Sequence, residues 1–151
     1  MCWHPFSGFT GAILGPLVLA GIYAIPQRSG TYNINPQDKE GAFEPILARY
    51  IRGAEFIIGI ASTSIVLLAG SSVFHGQSGH IPWVFATPLL LLAWSVVFGT
   101  AFMIWLNHCY EVHQHGAHYT AQSYSLTEAL GFGSLICFVC GYVWLIFLVT
   151  Q

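Results

Sequence analysis

Residues 56–110 run for 55 positions without a single Asp, Glu, Lys or Arg. No stretch constrains the fold more. A water-facing surface cannot be built from such a run, whereas a bilayer requires one. A membrane-spanning helix takes about 20 mainly apolar residues, so the run holds two. Its break is the polar Gly/Pro turn His75-Gly76-Gln77-Ser78-Gly79-His80-Ile81-Pro82. Helices are predicted over 54–74 and 83–107. Residues 1–27 are also free of these charges and hold a helix over 5–26. A fourth runs over 126–150.

Composition agrees. Charged residues make up 7% of the 151, against about 25% in soluble domains, which excludes a soluble monomer. Four Lys+Arg and a net charge of -2 leave no basic footprint for nucleic acid. The hydrophobic fraction of 55% excludes intrinsic disorder. Within lipid only helices or closed barrels satisfy the backbone, and these runs lack the alternation of barrel strands. The expected fold is all-α: a polytopic integral membrane protein, with four transmembrane helices in a small bundle. It forms one membrane domain over 1–151, with a polar loop at 27–53, a His-rich loop at 108–125 and no appended soluble domain. The first run has no Lys or Arg before Arg28, so it lacks the basic start of a signal peptide and reads as a mature helix.

Eight of the ten charges fall between Arg28 and Glu55: Arg28, Asp38, Lys39, Glu40, Glu44, Arg49, Arg52 and Glu55. Only Glu111 and Glu128 lie elsewhere. All four basic residues precede the second helix, so loop 27–53 is expected in the cytoplasm or its organellar equivalent. Both termini and the 75–82 turn then lie outside. Glu44-Pro45 suits the first turn of a short helix leading through Ala48-Arg49-Tyr50 into the second span.

Small residues at four-residue spacing let helices approach closely in lipid. Gly11-x3-Gly15 marks the first helix, Gly59-x3-Thr63 the second, with Ala61 and Ser64 nearby, and Gly133-x3-Cys137-x3-Gly141 the fourth. Trp3, Tyr50, Trp83, Trp105 and Tyr110 fit an interfacial aromatic belt. Pro16 and Pro88 are expected to kink helices one and three.

Seven histidines all fall at predicted helix ends or in loops. Cys2, His4, His75 and His80 belong to the outer side. His108, Cys109, Glu111, His113, His115 and His118 belong to the inner one. If helix three continues past Asn107, then His108, Glu111, His115 and His118 share a face within about 80°, and His113 points away. Imidazoles and a carboxylate so arranged can bind Cu, Fe or Zn. The alternatives are an interfacial loop rich in amphipathic His, and proton handling. Glu55 and Glu128 at the inner helix ends are candidates for proton or ion handling. Arg52 offers Glu55 an ordinary ion-pair partner, and Ser125-x-x-Glu128 reads as a capping box. Cys137-x-x-Cys140 reads as packing within a helix, without a disulfide framework.

The layout resembles that of the small four-helix glutathione and eicosanoid enzymes of membranes. Arg49-x-x-Arg52 matches their Arg-x-x-Arg start of helix two. Phe56 and Gly59 stand where that family has Asn and Glu, so the glutathione-binding half of the motif is absent and the resemblance is one of layout.

The reading that follows is an accessory or anchoring subunit of a larger membrane complex, of the energy-transducing or oxidoreductase kind. Its partners are the lipid bilayer and other membrane subunits. Two alternatives stand beside it. One is a metal-containing membrane oxidoreductase or monooxygenase component using the inner His/Glu cluster. The other is a homo-oligomeric small-solute or proton channel with Glu55 and Glu128 facing the pore.

Overall fold

A computed structural model describes residues 6–24, 43–71, 82–115 and 121–150; the side chains of 6–9, 43–47, 113, 114, 121 and 124 fall outside that description. The described residues form helices α1 (Phe6–Tyr23), α2 (Phe43–Gly70), α3 (Ala86–Gln114) and α4 (Ala121–Val149), with a 3₁₀ turn at Trp83–Phe85 leading into α3. No strand occurs among them.

At about 1.5 Å per residue, α2, α3 and α4 are each roughly 42–44 Å long and α1 about 27 Å. Three stretches are long and apolar enough to cross a membrane: Ala48–Gly70, Trp83–Val112 and Ser125–Val149. Thr10–Tyr23 is a shorter apolar helix. Hydrocarbon is about 30 Å thick, so the three long helices overrun it by about two turns.

The helices alternate in direction. Gly11 lies against Thr87, and Gly15 against Trp94, so α1 runs parallel to α3. Gly141 meets Leu92 and Gly131 meets Phe102, so α4 runs antiparallel to α3. Tyr50 meets Phe102 edge-on at 6.4 Å and Ile58 meets Gly99, so α2 also runs antiparallel to α3.

The central helix is α3, which packs against all three others, while α1 lies on both α3 and α4. Leu91, Phe98, Phe102 and Leu106 of α3 build the core with Leu130 and Cys137 of α4. Their spacing of four or seven keeps one stripe facing the neighbour. In the apolar stretches, 39% of α3 is buried, 22% of α4 and only 6% of α2. Large apolar side chains such as Phe56, Leu67, Ile104 and Phe147 are more than half exposed. A surface of this kind fits lipid and would be a liability in water.

Several expected boundaries shift. The short helix expected to start at Glu44-Pro45 is continuous with the second span: α2 begins at Phe43, eleven residues before the predicted 54 and inside the predicted loop 27–53, because no residue of 43–53 breaks a helix once Pro45 sits in the first turn. Helix α3 runs to Gln114, past the predicted 107, and α4 begins at Ala121, before the predicted 126. The predicted His-rich loop 108–125 is therefore mostly helix. Pro88 does not kink α3. It lies in the first turn after Ala86, where its missing N–H has no intrahelical acceptor to lose. Pro16 does lie inside α1.

Candidate functional site at the polar end of the bundle

The alternation brings the start of α2, the end of α3 and the start of α4 to one end of the molecule. That end carries every described charged side chain: Arg49, Arg52, Glu55, Glu111 and Glu128. No Asp, Glu, Lys or Arg stands in α1 or on the opposite halves of the long helices. The overrun of the helices beyond the hydrocarbon thickness thus falls where the polar residues are.

On α3 the extension past Asn107 puts His108, Glu111 and His115 at i, i+3 and i+7, and all three are exposed. The His108 ring leans on Trp105, with centroids 5.7 Å apart. The His115 Nδ1–H donates to the Glu111 carbonyl at 2.8 Å, and the His115 backbone N–H donates to the same oxygen at 3.2 Å. That bond places the proton on Nδ1 of His115. Among the described residues no three His, Cys, Asp or Glu side chains come together in a way that could hold a metal ion. His118, the fourth residue of the expected face, lies outside the described residues, as do the side chain of His113 and all of His4, His75 and His80.

Two sequence expectations for the acids are corrected. Ser125 and Glu128 do not form a capping box, because α4 starts at Ala121. Ser125 is a residue of the helix body, and Glu128 stands half-buried nearly two turns in. Glu55 is exposed and makes no ion pair with Arg52 or Arg49 among the described residues. In place of a cap, the indole of Trp105 donates to the Ser123 carbonyl at 3.3 Å, tying α3 to the first turn of α4.

The small residues divide into two groups. Gly11, Gly15, Gly133 and Gly141 lie at contacts between helices. A Cβ on Gly15 would stand 2.3 Å from the Trp94 ring, and one on Gly11 would stand 3.0 Å from the Thr87 Cα. A Cβ on Gly133 would stand 3.5 Å from Leu19 and Phe98, and one on Gly141 would stand 3.2 Å from Leu92. Cys137 is fully buried. Its neighbour Cys140 is exposed, and both are free thiols. Gly59 differs: nothing lies within 4 Å of where its Cβ would be. The buried small residues of α2 are Ala54 and Ala61, seven apart on the opposite face.

Sequence reasoning missed the polar ties between spans. The Ser134 hydroxyl donates to the Ser95 carbonyl at 2.9 Å. Having spent its one proton, Ser134 Oγ accepts from Ser95 Oγ at 3.4 Å. Ser64 of α2 bonds Tyr142 of α4 through their hydroxyls. Gly99, not singled out by spacing, makes room for Ile58, which a Cβ there would meet at 2.9 Å. A lone Ser in an apolar run was the available signal, but it names no partner.

These helices define the class by length and composition: a small helical protein of the multi-pass membrane kind. Comparison with protein-family models, with curated proteins and with solved structures finds no match, so the layout resemblance to the four-helix glutathione enzymes carries no further.

Proposed function

We propose that the chain is an accessory or anchoring subunit of a larger membrane protein complex, and that α2 is the helix it offers to a partner. The observation that carries this is the outward face of α2. Small residues in lipid serve where another helix comes close. On α1 and α3 they serve inside the chain, Gly15 under Trp94 and Gly99 over Ile58. On α2, Gly59 and Gly70 have open space where a Cβ would be, and Thr63 between them is exposed. At about 100° per residue these three lie within roughly a 40° arc. The same helix is the least buried of the long three, at 6% of its apolar stretch. A stripe so placed supports close docking of a partner's helix. The polar end would face the cytoplasm, since the basic residues gather there.

Native mass spectrometry of the protein released gently from its own membrane tests the reading. A heteromeric mass is expected, and a purely homo-oligomeric one would discard it. The variant Gly59→Leu sharpens the test. It should dissociate the complex while leaving the unfolding of the isolated chain nearly unchanged, because open space surrounds the position of its Cβ and residue 59 lies on the exposed face.

A further inference from the structure

We infer that the polar end of α2 is a seat for the headgroup of an anionic phospholipid, gripped by Arg49 and Arg52. This goes beyond the subunit reading: Arg52 and Phe56 continue the face of the Gly59–Thr63–Gly70 stripe toward headgroup level, and the seat is that of the chain with no partner helix docked there.

Height comes first. At about 1.5 Å per residue, Arg52 stands roughly 27 Å and Arg49 roughly 32 Å along the helix from Gly70. The hydrocarbon is about 30 Å thick. With Gly70 near one boundary, the two guanidiniums therefore lie at the level of phosphates at the other. Direction comes second. Arg49 and Arg52 are one turn apart and both exposed. At about 100° per residue, Phe56 falls between them in azimuth, one turn deeper, and it is 69% exposed. The face therefore reads charge at headgroup level and apolar ring at acyl level, the order found along a phospholipid. Charge comes third. No described carboxylate pairs with either guanidinium, and Glu55 sits about 60° round the helix from Arg52, toward the edge of the face. Two exposed guanidiniums one turn apart, each a planar fork of donors, suit phosphate oxygens. Basic residues at this depth attract anionic lipid. The apolar continuation through Phe56 favours a lipid over a soluble anion.

The test is native mass spectrometry of the full-length protein in detergent, titrated with equal amounts of dioleoyl phosphatidylglycerol and dioleoyl phosphatidylcholine. The readout is the ratio of the two retained adducts. The native protein should retain the anionic lipid several-fold over the zwitterionic one. The preference should fall to parity in R49Q/R52Q and return in R49K/R52K, which keeps the charge. Parity in the native protein, an undiminished preference in R49Q/R52Q, or no recovery in R49K/R52K would each overturn the assignment.

Discussion

At the scale of single residues, two glycines of the same type have opposite consequences. Gly15 lies under the Trp94 indole, which itself stacks on Phe98 at 5.2 Å. A methyl at Gly15 would penetrate the ring, so either Trp94 rotates away from Phe98 or α1 moves off α3. Gly59 faces open space. Gly15→Ala should therefore destabilise the isolated chain by about 1–3 kcal/mol, the usual range for overpacking. Gly59→Ala should leave it unchanged or slightly more stable, since Ala is the better helix former. Unfolding in mixed micelles, followed by circular dichroism, checks the pair. Equal effects at the two sites would contradict the α1–α3 contact described above. The Ser95–Ser134 pair illustrates the other residue-level device. Both hydroxyls are buried, and in an apolar surrounding each is far better bonded than bare. Such interhelical bonds contribute about 0.6 kcal/mol on average in membrane proteins, so their role is as much register as strength.

At the scale of elements, the instructive case is the start of α4. The motif Ser125-x-x-Glu128 ahead of an apolar run carries the signature of a helix beginning. The helix nevertheless begins at Ala121, because Gln122, Ser123 and Tyr124 are tolerated in a helix and the Trp105 bond to the Ser123 carbonyl holds that turn against α3. Ser125→Ala should therefore change stability by less than about 0.5 kcal/mol, whereas loss of a true N-cap costs about 1 kcal/mol. Chemical denaturation in micelles distinguishes the two, and a loss near 1 kcal/mol would restore the cap at Ser125. At α2 the local signal held: Glu44-Pro45 marks a helix start, and the segment through Arg49, Arg52 and Glu55 is the beginning of α2 itself, because nothing in it breaks a helix.

For the whole molecule, the organising fact is polarity along the bundle axis. Alternating helix directions collect Arg49, Arg52, Glu55, Glu111 and Glu128 at one end, while Trp83 is exposed at the other. If the basic residues set the orientation, that end is cytoplasmic. A cysteine placed at the exposed Gln122, in a Cys2→Ser/Cys140→Ser background that removes the exposed thiol of α4, should resist a membrane-impermeant maleimide in intact cells and react once the membrane is opened. Labelling of Gln122→Cys in intact cells would invert the topology. The buried thiols Cys109 and Cys137 should stay silent throughout.

The sequence by itself determined that the chain is helical and apolar along most of its length, and roughly where the spans lie. Those properties follow from local solvation: a long uncharged run such as 56–110 has no other stable environment than lipid. The spacing of Gly11 and Gly15 was legible for the same reason, since a small residue is small in any context. Tertiary structure alone decided which faces meet. Gly59 and Gly15 read alike in sequence, but only Gly15 found a neighbour, because α3 became the central helix and α2 leaned on it through Ala54 and Ile58. It also decided that Ser95 would meet Ser134 and Ser64 would meet Tyr142. Nearly uniform apolar helices carry no strong face of their own, so packing, not periodicity, chooses the contacts.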